Sequence, residues 1–169
     1  GVANFALGDA IVSNTGDITV GASASEGLAQ AYGVDNLGVY YDANVTNDGH
    51  LAVNAATGTG YAYATGIRNA NYYALSLTTN TGDIVATGNA LPGYGGAYAI
   101  LSASQNGSAL AANAGSLGAT NPLGIAFGIT ADGATYSSAT NSGDVTSDGK
   151  YSRGIFATSS LGDVVVQNS

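Results

Sequence analysis

The sequence of 169 residues contains no cysteine, methionine or tryptophan, and it has only two prolines. Without cysteine, disulfide scaffolds, thiolate metal sites and cysteine nucleophiles are all excluded. Three Lys and Arg side chains stand against 11 Asp and Glu, so the formal net charge is -8. Because nucleic-acid binding needs clustered cations that neutralise phosphates, we expect no nucleic-acid partner.

Residues that favour soluble helices are also scarce. One Glu (Glu26), one Lys (Lys150) and two Arg cannot supply the charged exposed faces of amphipathic helices. This scarcity excludes helical bundles and doubly wound α/β folds. Gly, Ser, Asn or Thr interrupts every apolar run before it reaches about 18 residues, so we expect no membrane insertion.

The composition also bears on localisation. An acidic, Lys-poor chain rich in Ser, Thr and Asn is typical of exported bacterial proteins, and we therefore predict a secreted or cell-surface protein. The chain begins with Gly1, and no basic region followed by an apolar segment comes after it. We therefore expect a processed form or a segment of a longer chain.

The main feature that is present is a repeat. An Asn-x-Gly motif starts at Asn14, Asn47, Asn80 and Asn113 with constant spacing, and a fifth copy starts at Asn141 after a shorter interval. In every copy an aliphatic residue stands four positions after the Asn. The glycines are Gly16, Gly49, Gly82, Gly115 and Gly143, and the aliphatic residues are Ile18, Leu51, Ile84, Leu117 and Val145.

Tandem units with short alternating segments and Gly/Asn punctuation predict a solenoid. We predict one all-β domain over residues 1–169, a parallel β-helix (β-solenoid) of about six coils of 27 to 33 residues, in which equal positions of successive coils form columns roughly 4.8 Å apart. The repeat units are approximately 1–13 (partial), 14–46, 47–79, 80–112, 113–140 and 141–167. The alternative is a set of Asn-x-Gly hairpin turns in an antiparallel sandwich, which does not require constant spacing.

Each unit contains three strand-like segments joined at corners. The second segment comprises residues 31–34, 64–67, 98–100, 126–129 and 152–155. We expect the Asn residues to occupy corners with left-handed backbone, where their amides bond to the coils above and below. The Gly two positions later is expected to supply a positive φ. Pro92 and Pro122 fall between the first and second segments, which predicts an outward loop of variable length there.

Residues 141–168 read Asn-Ser-Gly-Asp-Val-Thr-Ser-Asp-Gly-Lys-Tyr-Ser-Arg-Gly-Ile-Phe-Ala-Thr-Ser-Ser-Leu-Gly-Asp-Val-Val-Val-Gln-Asn. This unit resembles the tandem repeats in passenger domains of bacterial autotransporter-type surface proteins. The resemblance covers essentially the whole chain in diluted form. It implies a right-handed β-helix that is exported to or beyond the outer membrane and serves adhesion or display.

Acidic residues and the single histidine are the first candidates for chemistry. Because carboxylates two coils apart cannot share one ion, the Gly-Asp pairs favour turns over calcium sites, and we expect no metal and no cofactor. His50 falls in the same column as two of these aspartates and has no paired nucleophile, so a structural role is favoured. The aspartates of the Gly-Asp pairs are Asp9, Asp17, Asp83, Asp144 and Asp163.

An enzyme remains the alternative class. Lyase chemistry on acidic sugars needs several cations, and Arg68, Lys150 and Arg153 are too few and too far apart. Paired carboxylates such as Asp42 or Asp48 could serve a glycoside hydrolase. We predict no catalytic residues and no enzymatic activity, with a carbohydrate-active β-helix enzyme (polysaccharide hydrolase or lyase) as the alternative.

Repeated aromatic and hydroxyl side chains give two further candidates. Tyr40 and Tyr73 share one offset, as members of the pairs Tyr40-Tyr41 and Tyr72-Tyr73, and we favour a stacking ladder over a carbohydrate platform. A Thr row for ice binding is too interrupted to favour. The aromatic residues of the second segment are Tyr32, Tyr63, Tyr98 and Phe127, and the Thr row is Thr46, Thr79 and Thr140, broken by Ser13, Ala112 and Gln167.

Neither terminal segment, residues 1–12 or 164–169, has the composition of a capping element. Solenoid ends expose unpaired strand edges, so we predict association end to end into fibres, or continuation of a longer chain. The predicted function is a secreted bacterial structural or adhesive surface protein. A surface glycan or a host receptor is its expected partner.

Overall fold

A computed structural model describes residues 1–90 and 93–169. These ranges contain strands and turns and no helix. The strands are β1 (Val2–Ala6), β2 (Ala10–Asn14), β3 (Ile18–Gly38), β4 (Ala43–Asn47), β5 (Leu51–Asn71), β6 (Ser76–Asn80), β7 (Ile84–Ala90), β8 (Gly93–Ser104), β9 (Ser108–Asn113), β10 (Leu117–Gly133), β11 (Tyr136–Asn141), β12 (Val145–Ser159) and β13 (Val164–Asn168).

Two parallel sheets wind into a β-solenoid. The six-stranded sheet has the order β13-β11-β9-β6-β4-β2, and the seven-stranded sheet has the order β1-β3-β5-β7-β10-β12, with β8 paired to β5 and β10. All of the described strand pairs are parallel, which excludes the antiparallel hairpin alternative. The parallel β-solenoid prediction is therefore confirmed.

The solenoid has about four turns, slightly fewer than the six coils predicted. The prediction also counted the two end coils, built from β1 with β2 and from β12 with β13. Each of these has a neighbouring coil on one side only. The remaining coils have neighbours on both sides and bury their inward side chains most completely.

Aliphatic columns fill the interior as predicted. Strand register places Leu51 beside Ile84 in neighbouring coils, and Ile67 beside Ile100, with all four side chains fully buried. The two columns are Ile18, Leu51, Ile84, Leu117, Val145 and Val34, Ile67, Ile100, Ile129, Ile155. Each branched side chain packs against an equivalent one in the next coil, and this removes the column from water.

The long strands turn a corner within the seven-stranded sheet. A straight strand of 21 residues, the length of β3 and β5, would extend roughly 70 Å and could not close a coil. Gly27 (φ 87°) and Gly60 (φ 127°) are paired in register at the bend and adopt left-handed backbone. The bend divides this sheet into a first limb (residues 18–26, 51–59, 84–90, 117–121 and 145–149) and a second limb (residues 28–38, 61–71, 94–104, 125–133 and 151–159).

Alanine fills the narrow space between the two limbs. Near the bend, Ala55 of the first limb and Ala62 and Ala64 of the second limb belong to one fully buried cluster with Ala86 and Ala97. The larger aliphatic columns lie further from the bend, where the six-stranded sheet closes the coil. The cross-section is therefore a wedge, which explains why a chain with few large apolar residues can still build a core.

The prediction of an outward loop before the second segment was wrong for two coils. In β3 and β5 the pairing continues through the bend, with Glu26 beside Thr59, because glycine there lets the strand turn without leaving the sheet. Pro122 is exposed in β10, where the register shifts between Asn121 and Ile125. Pro92 lies outside the described residues.

The prediction of left-handed backbone was wrong both for the repeated Asn residues and for the glycines two positions after them, since the positive-φ residues in the described ranges are Gly27 and Gly60. The corner glycines instead allow close approach between coils. A Cβ at Gly82 would lie 2.0 Å from the backbone oxygen of Gly49, and one at Gly115 would lie 2.0 Å from the oxygen of Gly82. Any larger residue would push neighbouring coils apart at this corner.

We expect Gly82→Ala to destabilise the protein by about 1–3 kcal/mol, because the added methyl group overlaps the backbone of the coil below. Gly21→Ala is the matched control, since a Cβ there meets nothing within 4 Å. That control should be neutral or more stable by about 0.5–1 kcal/mol. Urea unfolding measures both variants. Equal midpoints for the two would contradict the close-approach explanation.

Candidate functional surfaces

The repeated Asn residues form one continuous hydrogen-bonded row, here named the Asn column. Its members are Asn14, Asn47, Asn80, Asn113, Asn141 and Asn168. Each Nδ2 donates to the Oδ1 of the Asn in the next coil, at 2.7 Å in four links and 2.8 Å in the last. The predicted bonding between coils is confirmed.

The second amide proton of every member of the Asn column except Asn168 is also used. Asn47 Nδ2 donates to the carbonyl oxygen of Gly49 at 3.0 Å, and Asn113 Nδ2 donates to that of Gly115 at 2.8 Å. The same contact recurs in the other inner coils. Both amide protons of these residues are therefore engaged within the protein, so the column stabilises the corner.

A second Asn row was not recognised in the sequence. Asn4 Nδ2 donates to Asn36 Oδ1 at 2.9 Å, and Asn36 Nδ2 donates to Asn69 Oδ1 at 3.0 Å. Asn69 Nδ2 also donates to backbone oxygens of Ala43 and Leu77, which ties the second limb to the six-stranded sheet. The sequence pattern that could have predicted this row is an Asn two positions after the Val or Ile of the second segment, which occurs in three successive units.

The corner aspartates bond to adjacent coils. Asp48 Oδ1 accepts a hydrogen bond from Thr81 Oγ1 at 2.6 Å, and Asp42 and Asp83 each accept one from a backbone N–H of the next coil at 3.3 Å. The contact of Asp83 agrees with the turn role that we favoured for the Gly-Asp pairs. In Asp42 and Asp48, the carboxylates that we had considered for glycoside hydrolysis, one oxygen accepts such a bond.

The Ile18 N–H donates to the backbone oxygen of His50, and the Leu51 N–H donates to that of Asp83. His50 therefore lies in the same column as Asp17 and Asp83. It is exposed and makes no ion pair with either carboxylate in the described chain. Among residues 1–90 and 93–169, no three His, Asp or Glu side chains form a group that could hold a metal ion. The part of the chain described here also has no helix suited to crossing a membrane.

The tyrosines at the corner after the second limb stack as the ladder prediction required. The Tyr40 and Tyr73 rings are 5.6 Å apart and nearly parallel, with 3° between their planes. Tyr72 packs edge-on against Tyr73 at 4.5 Å. The Thr row also has the predicted register, with Thr46 beside Thr79.

A different group of aromatic side chains covers the outer surface of the second limb. This aromatic face consists of Tyr32, Tyr63, Tyr98, Phe127, Tyr151 and Phe156. Tyr98 meets Phe127 edge-on at 5.6 Å, and Phe127 meets Phe156 at 6.2 Å. The rings are contributed by successive coils and therefore follow the solenoid axis.

All three cations of the chain lie on this aromatic face. The Arg68 guanidinium is 5.6 Å from the Tyr32 ring centroid, Lys150 Nζ is 5.6 Å from that of Tyr151, and Arg153 is 4.2 Å from that of Phe156. Such distances permit cation–π attraction. In an acidic protein, this placement separates the positive charge from most of the negative charge.

Two clefts open on the aromatic face. One, of about 250 Å³, is lined by residues that include Tyr32, Tyr63, Arg68 and Tyr98. The other, of about 500 Å³, is lined by Ile125, Phe127, Lys150, Tyr151, Ser152 and Arg153. Burial raises the pKa of the Tyr98 phenol above its ordinary value, and nearby Tyr63 adds to the effect. Tyr98 therefore remains a neutral hydrogen-bond donor at physiological pH.

Comparison with known proteins finds no family model, no curated protein and no solved structure that matches this chain.

We expect Asn80→Ala to lower the free energy of unfolding by about 2–4 kcal/mol, since it leaves Asn47 Nδ2 and Asn113 Oδ1 without their partners in a buried row. Asn54→Ala, at an exposed position on the first limb, is the matched control and should stay within about 0.5 kcal/mol of the parent. Urea unfolding followed by circular dichroism provides both values. A similar loss in the two variants would show that the Asn column is energetically unimportant.

The raised pKa of Tyr98 predicts a pH dependence of stability. Above pH 10 the unfolded chain ionises this phenol before the folded chain does, so the unfolded state binds fewer protons and stability falls as pH rises. The contribution is fully present below the ordinary tyrosine pKa. In Tyr98→Phe the decline should be shallower, whereas Tyr41→Phe, at an exposed corner, should match the parent. Urea unfolding at several alkaline pH values tests this, and identical slopes in all three proteins would refute it.

Proposed function

We propose that this protein is a secreted bacterial structural or adhesive surface protein, a right-handed β-solenoid scaffold that acts through its long repetitive surface. The observation that carries the proposal is the regularity of the coils. The Asn column and the aliphatic columns use the same bond or the same packing contact in coil after coil. Such regularity supports a role in spanning distance and presenting a surface.

The distribution of polar side chains supports a role other than catalysis. Seven of the 11 acidic residues lie in turns that connect the strands, and several of them bond to the neighbouring coil. The titratable side chains thus follow the repeat. A catalytic cleft would instead require an irregular cluster of acids and bases.

The end of the solenoid at β13 supports association between copies. Val164 and Val166 occupy inward columns, beside Ser137 and Ala139 of β11, yet 44% and 51% of their surfaces are exposed. A further coil stacked on β13 would cover both side chains and pair the free edge of the strand. We propose that a second copy of the protein supplies this coil through a head-to-tail contact, with continuation of a longer chain as the alternative.

Right-handed coiling is part of the proposal. Parallel strands joined by a crossover within one sheet are right-handed in nearly all proteins, because strand twist favours that hand. The resemblance of residues 141–168 to autotransporter-type passenger repeats also points to this hand and to an extracellular location.

Electron microscopy and sedimentation of the purified chain at neutral pH test the assembly. We expect filaments with a regular axial repeat. Val166→Lys should abolish them, because it places a charge on the uncovered apolar column. Val85→Lys introduces the same change at an outward, 45% exposed position of β7 and should leave filaments intact.

A chain that sediments as a monomer and forms no filaments would contradict self-association. Filaments that survive Val166→Lys would show that copies associate through another surface. The circular dichroism spectra of Val166→Lys and Val85→Lys should both match that of the parent, because both side chains are already about half exposed.

A further inference from the structure

Positive charge is concentrated on one face of the solenoid. The chain has a net charge of -8, yet its three cations all lie on the aromatic face. Most carboxylates lie in the turns between strands. The aromatic face is thus the one described surface where positive charge and exposed ring area coincide.

Two of the three cations, Lys150 and Arg153, make no ion pair within the described ranges. Arg68 Nε is 3.6 Å from Asp35 Oδ1, and this is the one ion pair in the described ranges. Lys150 and Arg153 have no carboxylate within 4.0 Å in the same ranges. Their contacts are with rings, which hold the charged groups beside the clefts without neutralising them.

Strand register aligns the rings along the solenoid axis. Tyr98 is directly beside Phe127, and the preceding outward row brings Tyr63 beside Gly96. Gly96 leaves room for the neighbouring ring, since a Cβ there would lie 2.6 Å from Tyr98 Cε2. The result is an elongated surface of ring edges and faces with shallow clefts between them, suited to a ligand that lies parallel to the axis.

The spacing of the cations indicates a polymer. Arg68 is three coil steps from Phe156, the ring that Arg153 contacts, which corresponds to roughly 14 Å at about 4.8 Å per coil. A single sugar could not reach both guanidinium groups. A chain with repeated carboxylates could reach both, and guanidinium groups bind carboxylates through paired hydrogen bonds.

We propose that the aromatic face binds a carboxylated polysaccharide, one rich in uronic acids, along the solenoid axis. The apolar faces of sugar rings would pack on the tyrosine and phenylalanine rings, while Arg68, Lys150 and Arg153 would bind carboxylates. This inference names the ligand class for the adhesive role and rests on that proposed function. Single-stranded nucleic acid also combines stacking with negative charge, but binding it requires clustered cations that neutralise successive phosphates, and three separated cations do not supply them.

The test uses the purified full chain and labelled polygalacturonate oligomers at low ionic strength, with neutral dextran oligomers of matched length for comparison. We expect polygalacturonate to bind at least about 10-fold more tightly than dextran. The double variant Arg68→Gln with Arg153→Gln should weaken polygalacturonate binding at least about 10-fold. Added salt should weaken binding in the parent protein more than in this variant.

Two controls separate the aromatic face from bulk charge and from general loss of tyrosine. Asn54→Asp with Asn89→Asp lowers the net charge by the same amount on the first limb, with isosteric side chains at exposed positions. It should change the affinity less than about twofold, because exposed charges at a distance are screened. Tyr63→Ala should weaken binding, whereas Tyr41→Ala, at an exposed corner, should not.

Absence of polygalacturonate binding, or equal loss in the Asn-to-Asp control, would overturn the proposal. Tighter binding of oligo-dT than of polygalacturonate would overturn it in favour of a nucleic-acid surface. Matching urea midpoints for all variants would exclude unfolding as the cause of a loss. Binding to the purified chain requires neither filaments nor export, so failure here is distinguishable from failure of the scaffold function.

Discussion

The stacking of parallel coils roughly 4.8 Å apart is the constraint on which the rest of the structure depends. At that spacing every side chain meets the equivalent residue of the next coil. A position is stable only if its residue can pack against, or bond to, a near copy of itself. Isoleucine, leucine, valine, alanine and asparagine satisfy this condition in different ways, and they form the columns of this protein.

The wedge-shaped cross-section explains an unusual composition. Where the two limbs converge, near Gly60, the buried cluster between them consists of alanines and one valine, Val53. Towards the six-stranded sheet, the space widens and takes Leu51, Ile67 and their equivalents. A chain with few large apolar side chains is therefore not short of a core, because its interior is narrow and repeats along the axis.

Much of this architecture could be predicted from the repeat. The spacing of Asn47, Asn80 and Asn113 predicted both the coil register and the amide bonding, since equal positions must coincide in a parallel stack. The positive φ of Gly27 and Gly60 was missed because their repeat position carries no motif that distinguishes them from other glycines. The corner glycines were assigned the wrong property, because sequence alone does not separate a need for conformational freedom from a need for space.

The candidate ligand surface was harder to predict. Tyr98, Phe127 and Arg153 share one column, but the column also holds Thr65, and its members are chemically unlike. A search for repeats detects positions at which successive units have similar residues. The sequence identified four of the six rings, but the three cations beside them became recognisable as part of one surface only when the coils were superposed in space.

The Asn column has a direction. In each of the five links from Asn14 to Asn168, an amide N–H donates to the Asn Oδ1 of the next coil towards the C-terminus, so the dipoles of successive side chains point the same way. Aligned hydrogen bonds polarise and strengthen one another. The two ends of the solenoid are therefore electrically distinct, one presenting an oxygen and the other an N–H group. Any extension of the row must keep the same orientation, so a structure built by adding coils would have a defined polarity, with different growth at its two ends.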